Sequence, residues 1–257
     1  MKIRVLMENS SCAANLKSEH GLSLYIETGN RKILFDAGQS GAFAENAVKL
    51  GVDLAEVDLA VLSHGHYDHG GGLQRFLTLN DKAPIYLSRY AFEPHFNASC
   101  RDIGLDPILE QSDRLVFVDE EIQLGHGISL LSCNTFRRPF PMEPFGLTSG
   151  AGEPEDFRHE QYLLIREGDK RILFSGCSHK GILNIMHWFA PDVLVGGFHF
   201  KQLSAEDPYL ELAAEQLLEY PCVYYTGHCT GQAQFAVLKQ RMGDRLLAMQ
   251  AGSIIKL

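Results

Sequence analysis

The stretch SHGHYDHGGGL, residues 63–73, constrains this sequence more than any other, because it places three histidines and one aspartate within six positions. It follows the apolar run LAVL at residues 59–62, which predicts a buried strand, and it continues into three glycines. Residues two apart on an extended chain point to the same side, so His64 and His66 are expected to face one point. Imidazole and carboxylate groups are ligands for zinc, iron and manganese, and burying them without a cation costs several kcal/mol. The stretch therefore predicts a metal site.

The composition sets the class of protein. The chain has 257 residues, of which 45% are hydrophobic, so we expect one domain over residues 1–257. A formal net charge of −9 disfavours a nucleic-acid partner. No run approaches the roughly 18 apolar residues that span a bilayer, and no signal peptide is readable, which predicts a cytoplasmic protein without a membrane partner. Six cysteines without C-x-x-C spacing are expected to be reduced thiols, and a homo-oligomer is left open.

Strand and helix patterns alternate along both halves of the sequence. Apolar runs flanking a turn signal predict a hairpin at residues 23–38, with its turn at Thr28-Gly29-Asn30, and a second hairpin at residues 162–176. Apolar residues at helical spacing predict helices at residues 42–50, 73–79, 182–189, 210–218 and 232–242. Both halves run hairpin, helix, strand, which indicates an α/β protein of two stacked sheets with helices outside.

Residues 134–160 interrupt this alternation with four prolines and three glycines. The segment is longer than the usual connection between elements, and long irregular segments inside compact domains are often functional. We expect either a lid over a site or a surface loop.

The histidine motif carries a family resemblance. The pattern H-x-H-x-D-H at residues 64–69 resembles the signature of the metallo-β-lactamase superfamily, as do FDAG at residues 35–38 and YTGH at residues 225–228. The similarity runs from about residue 3 to residue 257 and implies a metallo-β-lactamase-like αββα sandwich, with two mixed sheets, outer helices and a dinuclear metal site. Three shorter motifs, GCSHKGILNI (176–185), GGFHF (196–200) and TGHCTG (226–231), resemble the dihydropterin-ribofuranosylaminobenzene phosphate synthase subfamily.

The resemblance implies two divalent metal ions, with zinc favoured and iron or manganese as alternatives. The implied ligands are His64 and His66 for the first ion, Asp68, His69 and His228 for the second, and His179 as the third ligand of the first. His159 is the alternative third ligand, but its place at the end of the irregular segment predicts a solvated surface histidine. Cys177 stands where many members carry a bridging aspartate, and it is either a thiolate ligand or a small buried thiol.

Catalytic and supporting roles are also implied. Asp36 is expected to brace the histidine loop through hydrogen bonds. Asp68 would orient the nucleophile. His199 follows the apolar run VLVGG and would protonate the leaving group or contact the substrate, with a hydrogen bond to a metal ligand as the alternative.

Three residues are predicted to bind an anionic substrate. Thr230 lies where the last helix begins, and helix N-termini attract anions. Arg137 and Arg138, in the irregular segment, would clamp a phosphate or carboxylate. The remaining histidines are expected to be ordinary residues, with His95 the one most able to enter the cleft: His20, His95, His126 and His187.

Together these features predict a hydrolase that uses a metal-bound hydroxide on a small anionic ester, a phosphoester or phosphodiester. The alternatives are a pterin-phosphate condensing enzyme, a mononuclear-iron dioxygenase of the same superfamily, and a binding protein that has lost turnover. Pterin stacking would need an aromatic cleft, for which five phenylalanines are available: Phe92, Phe96, Phe136, Phe140 and Phe145.

Overall fold

The computed structural model describes residues 1–29, 31–125 and 127–257. The predicted turn residue Asn30 and the predicted ordinary residue His126 lie outside the described residues. The described chain divides into two compact units, here called unit 1 (residues 1–119, 146–161 and 250–257) and unit 2 (residues 120–145 and 162–249). The irregular segment at residues 134–160 contributes to both units, so its role as one lid stays a prediction.

Unit 1 contains a seven-stranded mixed sheet, a two-stranded sheet and three α-helices. The strands of the larger sheet are β1 (Lys2–Met7), β2 (Ser23–Thr28), β3 (Arg31–Phe35), β4 (Leu59–Val61), β5 (Ile85–Ser88), β7 (Leu115–Val118) and β16 (Ile254–Lys256), in the order β16-β1-β2-β3-β4-β5-β7. The smaller sheet pairs β6 (His95–Phe96) with β10 (Thr148–Ser149). The helices are α1 (Ala42–Lys49), α2 (Tyr67–Gly70) and α3 (Leu73–Leu79).

In the sheet of unit 1, the pairing of neighbouring strands changes from antiparallel to parallel at β3. The predicted hairpin β2–β3 is antiparallel, with Leu24 opposite Phe35, whereas β3, β4, β5 and β7 are parallel. All three residues of β4 are buried, as a continuous apolar strand between parallel neighbours requires. Phe43 of α1 and Phe76 of α3 are fully buried in the hydrophobic core of this unit. The carboxyl ends of β3 and β4 therefore lie side by side on a packed base.

Unit 2 contains a second seven-stranded mixed sheet and three α-helices. Its strands are β8 (Glu121–Gly125), β9 (Ile128–Leu131), β11 (Tyr162–Glu167), β12 (Lys170–Ser175), β13 (Val193–Gly196), β14 (Val223–Thr226) and β15 (Leu246–Ala248), in the order β15-β14-β13-β12-β11-β9-β8. Strands β12 to β15 are parallel to one another, whereas β8 pairs with β9, β9 with β11 and β11 with β12 in antiparallel fashion. The helices are α4 (Ile182–Phe189), α5 (Pro208–Leu218) and α6 (Gln232–Met242).

The predicted α/β class with two mixed sheets is confirmed. Helices α3, α4 and α6 have the predicted bounds, whereas α5 begins two residues before the predicted start at Leu210. The reason is local: the Asp207 side chain accepts a hydrogen bond from the Tyr209 amide, and Pro208 fits the first helical position. None of the helices in the described part of the chain is long and apolar enough to cross a bilayer.

Candidate metal centre

The histidine loop of unit 1, the segment at residues 63–72, is anchored where the parallel strands β3 and β4 end. Asp36 follows β3, and its amide donates to the Val61 carbonyl of β4 at 2.9 Å. The φ angle of Asp36 is +58°, a left-handed conformation that turns its side chain toward the next strand end. There the carboxylate accepts hydrogen bonds from the Ser63 amide at 2.7 Å and from the Ser63 hydroxyl at 2.8 Å. Asp36 thus fixes the first residue of the loop.

Asp36 also sets the protonation of two imidazoles. Its Oδ2 lies 2.6 Å from Nδ1 of His69, so this nitrogen carries the proton and donates. The Ser63 hydroxyl already donates to Asp36, so at 2.8 Å it accepts from Nδ1 of His64. A neutral imidazole carries one proton, which leaves Nε2 of His64 and of His69 with its lone pair. Histidines that bind metals are held in this way, with the other ring nitrogen donating to a carboxylate or a hydrogen-bonded partner.

The side chains of the motif are packed against one another. The ring of His64 lies 4.6 Å from that of His66 and 4.1 Å from that of His69, between centroids, and all three side chains are buried. Asp68 and His69 lie on the one-turn helix α2, and Oδ2 of Asp68 is 3.8 Å from Nε2 of His69. Three buried imidazoles beside a carboxylate form a donor set suited to zinc, iron or manganese. The residues of unit 1 therefore fit a divalent metal ion.

Glycine is required at two points of this loop because the backbone is approached closely there. A Cβ atom at position 65 would lie 2.2 Å from the Ala91 carbonyl oxygen, and one at position 72 would lie 2.1 Å from the Ala37 carbonyl oxygen. Gly65 separates His64 from His66, so any side chain at this position would move both imidazoles. The glycines of the motif hold the loop close to its neighbours.

The prediction that His159 is a solvated surface histidine is wrong. His159 is fully buried, and its Nδ1 accepts the Gly65 amide at 2.9 Å. Gln161 donates its amide to the Ser63 carbonyl at 2.8 Å and its side-chain Nε2 to the Leu62 carbonyl at 2.7 Å. Residues 159–161, here called the strap, therefore hold the histidine loop and the residue before it by three hydrogen bonds. The prolines and glycines of the preceding segment predicted an irregular loop, so nothing in the sequence indicated this packing.

The hydrogen bond to Gly65 bears on the predicted alternative role of His159 as a metal ligand. Accepting through Nδ1 places the proton of the neutral ring on Nε2. Binding a metal through Nε2 would then require the ring to lose its last proton. This state of protonation favours a positioning role for His159 over that of a ligand.

Two histidines that were predicted to be ordinary also lie in this region. His95 is buried, with Nδ1 at 2.9 Å from Oε2 of Glu155, and its ring centroid is 3.9 Å from that of His159. One nitrogen from each of His66, His95 and His159 lies within 4.8 Å of the others. Nε2 of the partly exposed His20 is 3.3 Å from Oδ2 of Asp68. The only sequence signal was the place of His95 between Pro94 and Phe96; His20 gave none.

Unit 2 gathers its candidate groups at the carboxyl ends of β12, β13 and β14. Three non-glycine residues there adopt left-handed φ angles: Ser178 at +59°, His199 at +56° and His228 at +48°. Such angles cost free energy and cluster at functional sites. The rings of His179 and His199 lie 4.1 Å apart between centroids. Parallel strands thus bring together side chains that are about 20 to 50 positions apart in the sequence.

The second group of unit 2 contains two thiols. The ligand atoms of Cys177, His228 and Cys229 lie within 4.8 Å of one another, and all three residues are buried. Sγ of Cys229 lies 3.5 Å from the Cys177 carbonyl oxygen. Thiolate and imidazole are a zinc ligand set, so this group too fits a divalent cation. Cys229 was not among the predicted site residues, although it directly follows His228 in the motif TGHCTG.

The predicted anion-binding residues make contacts within the protein. Thr230 is fully buried, and its hydroxyl accepts a hydrogen bond from the Phe198 amide at 3.0 Å. These contacts do not support the predicted contact of Thr230 with a substrate. Thr230 braces the turn that carries His199. Arg137 is exposed, its carbonyl accepts from the Trp188 indole, and Nη1 of Arg138 lies 3.3 Å from Sδ of Met142.

A cavity of about 400 Å³ lies in unit 2. His179 and His199 form part of its wall. Of the five phenylalanines considered for an aromatic cleft, Phe145 lines this cavity, and its ring lies 5.5 Å from that of His199. The other aromatic rings in the wall were not predicted: Phe198, Phe200 and Tyr209.

Comparison with known proteins shows which family of proteins the chain is similar to. The model of the metallo-beta-lactamase superfamily matches residues 18–228. A solved structure described as a metal-dependent hydrolase of the beta-lactamase superfamily superposes with a TM-score of 0.82 at 29% identity, covering 100% of this chain and 99% of that one.

Two relatives come from Methanocaldococcus jannaschii. An uncharacterized protein is 29% identical over 249 residues, covering 93% of this chain and 94% of the relative. The 7,8-dihydropterin-6-methyl-4-(beta-D-ribofuranosyl)-aminobenzene-5'-phosphate synthase is 28% identical over 270 residues, covering 93% of this chain and 90% of the relative.

Proposed function

The chain belongs to the metallo-β-lactamase superfamily, and from this we propose that it hydrolyses a small anionic ester, a phosphoester or phosphodiester, with the help of bound divalent cations. The observation that carries the proposal is the protonation set by Asp36, which leaves Nε2 of the buried His64 and His69 with lone pairs. Hydrolysis is the activity named for the solved structure that matches over the whole chain.

The proposed donor set is that of the sequence analysis. The candidate ligands in unit 1 are His64, His66, Asp68 and His69. The candidate ligands in unit 2 are His179 and His228, with Cys177 as a further candidate. Two ions, zinc in the first place, stay a prediction, as does the assignment of His179 and His228 to them.

The residues of the chain have distinct proposed tasks. When bound, divalent cations would supply a nucleophile from water at neutral pH and neutralise charge on the ester. Asp68, whose carboxylate lies beside His69, would orient the attacking water by accepting a hydrogen bond from it. His199, held in a left-handed turn beside His179, would give a proton to the leaving oxygen. Asp36 keeps His64 and His69 in the required protonation state throughout.

Removing the metal tests this proposal. Purified protein is expected to contain divalent metal by elemental analysis and to hydrolyse a nitrophenyl phosphodiester. Dialysis against a chelator should abolish the activity, and zinc or manganese should restore it, because the cation supplies both the nucleophile at neutral pH and the positive charge. A metal-loaded protein that leaves every phosphoester and carboxylic ester intact would refute the hydrolase. One equivalent of iron with oxygen consumption would instead support the dioxygenase.

The pterin-phosphate condensation is the second candidate function. It is favoured by the 28% identity over most of the chain to the synthase named above, together with the aromatic wall of the cavity in unit 2. Incubating the metal-loaded protein with a dihydropterin diphosphate and an aminobenzene riboside phosphate distinguishes the condensing enzyme from the hydrolase. The condensing enzyme would release diphosphate and join the rings, whereas the proposed hydrolase would release a product of water attack alone.

Substituting His159 tests the strap. In His159→Ala the buried Gly65 amide loses its acceptor, which costs about 1–3 kcal/mol and loosens the loop between His64 and His66. Metal affinity is expected to fall about 10- to 100-fold, as when hydrogen bonds that orient ligands are removed. In His159→Asn the side-chain oxygen stands where Nδ1 stood and can accept the same amide, so most of the affinity should return. Equal loss in both variants, measured by competition with a chromophoric chelator, would mean that His159 is itself a ligand.

A further inference from the structure

Unit 1 contains a second carboxylate–imidazole pair outside the histidine motif. Nδ1 of His95 lies 2.9 Å from Oε2 of Glu155, and both side chains are buried. An ionised carboxylate only accepts hydrogen bonds, so the neutral ring carries its proton on Nδ1 and keeps a lone pair on Nε2. This Nε2 atom is buried and has no hydrogen-bond partner among the described residues. An unsatisfied buried acceptor destabilises the fold, and a bound cation would satisfy it.

Two further imidazoles lie close to His95. His66, His95 and His159 each offer one nitrogen, and these three atoms lie within 4.8 Å of one another. The proton of His159 is on Nε2, because its Nδ1 accepts the Gly65 amide, so His159 lies beside the cluster as a donor. The ring of His66 lies 5.4 Å from that of His95 between centroids. His66 is therefore the imidazole that can share a cation with His95.

A cavity of about 520 Å³ in unit 1, here called the acidic cavity, has this pair in its wall. Four carboxylates and one guanidinium line it: Glu93, Glu153, Glu155, Asp156 and Arg158. His95 and Glu155 are buried, whereas Glu153 is exposed, so the cavity extends inward from the surface. Nε of Arg158 donates to Glu93 at 2.8 Å, which balances one of the four negative charges. The remaining charge attracts cations toward His95.

From these contacts we infer that unit 1 has an entry site for a divalent transition-metal cation. Nε2 of His95 and one nitrogen of His66 bind the ion at the inner end of the acidic cavity, and imidazole selects zinc, cobalt, nickel or copper over magnesium. His66 is also a predicted ligand of the motif, and its ring centroid lies 4.6 Å from that of His64. A neutral imidazole has one lone pair, so His66 binds one ion at a time and the entry site empties as the motif fills. Passage of the ion through this site does not depend on what the loaded protein then hydrolyses.

Metal binding at equilibrium tests the site itself. In His64→Ala the motif lacks one imidazole, so His66 stays available to the entry site. Added zinc should shift the Nε2 resonance of His95 in nitrogen-15 NMR spectra of this variant, whereas magnesium, which prefers oxygen ligands, should leave it unchanged. His64→Ala/His95→Gln should bind one equivalent of zinc fewer than His64→Ala. The matched control is His64→Ala/His187→Gln, which replaces an exposed imidazole and should bind as many equivalents as His64→Ala.

The rate of metal uptake tests the entry role. Metal-free protein is mixed with cobalt, and the visible absorbance of the bound ion is followed. Favourable local charge raises association rates by about 10- to 10³-fold, and His95→Gln, which removes the inner ligand of the cavity, should slow uptake about tenfold or more. The equilibrium affinity of the motif should not change. Glu153→Gln should slow uptake by a smaller factor, and added salt should slow it in the wild-type protein. Glu110→Gln removes an exposed carboxylate outside the acidic cavity and should leave uptake unchanged.

Two results would overturn the entry site. One is uptake by His95→Gln at the wild-type rate, and the other is a His95 resonance in His64→Ala that zinc does not shift. The second measurement leaves His95 in place, so it decides the matter even if circular dichroism shows that His95→Gln is unfolded. A zinc-shifted His95 resonance with slowed uptake in His95→Gln would uphold the site even if the protein hydrolyses no ester. An active hydrolase that loads at the wild-type rate without His95 would refute it.

Discussion

Replacing His64 by alanine is expected to reduce phosphodiester hydrolysis by a factor on the order of 10³ or more and to remove bound metal, while the protein stays folded. The imidazole is buried, and the hydrogen bond from its Nδ1 to the Ser63 hydroxyl orients it. Through this hydroxyl, Asp36 leaves the lone pair on Nε2 of His64, as it does on Nε2 of His69. A bound cation contributes several kcal/mol of transition-state stabilisation, and each 1.36 kcal/mol is a factor of ten in rate.

The matched control is His187→Ala, which removes an exposed imidazole on α4. It should retain both metal and activity. The measurements are elemental analysis of each protein purified without added metal, followed by initial rates at saturating zinc. If His64→Ala keeps full metal content and full activity, the assignment of the donor set to this motif is wrong.

Exchanging Asp36 for asparagine should cause a large loss of metal affinity, although it removes none of the predicted ligands. If the amide oxygen keeps the Ser63 amide, the NH₂ group must face His69 and the Ser63 hydroxyl. It donates to both, so Nδ1 of His69 becomes an acceptor and its proton moves to Nε2. The Ser63 hydroxyl then donates to His64, and that ring changes its protonation in the same way. Both lone pairs needed for a metal are lost.

Metal affinity is expected to fall about 100-fold in Asp36→Asn, at the upper end for residues that orient ligands. Competition with a chromophoric chelator measures the fall, and the thermal midpoint of the metal-free protein shows whether the fold is intact. The control is Asp53→Asn, because Asp53 caps a short helix in the same unit and asparagine caps as well as aspartate. Wild-type affinity in Asp36→Asn would contradict the proposed protonation scheme.

The parts of the structure set by local sequence were predictable. The buried strand before the histidine motif, the two hairpins and the bounds of α3, α4 and α6 follow from apolar spacing and turn residues. The resemblance to the metallo-β-lactamase superfamily is confirmed by a match over residues 18–228. It was carried by motifs that follow β3 and β4 in unit 1 and end β14 in unit 2.

The contacts that the sequence did not predict are long-range. Gly65 and His159 are 94 positions apart, and His95 and Glu155 are 60 apart. Nothing in the composition of residues 146–161 shows that they join unit 1 rather than form a loop at the surface. The protonation of each imidazole likewise depends on its hydrogen-bond partner, which is visible only once the chain is folded. Local patterns thus identified the histidines, and tertiary contacts assign their roles.

Strand β16 has a consequence for biosynthesis. It pairs with β1, with Ile255 opposite Ile3, and β1 pairs on its other side with β2. The ribosome makes residues 254–256 some 250 positions after β1, when every strand of unit 2 has already been synthesised. During that interval β1 has one unpaired edge, and unpaired edges recruit strands of other chains. Slow translation of the segment before residue 254, or termination before it, would therefore favour aggregation of nascent chains.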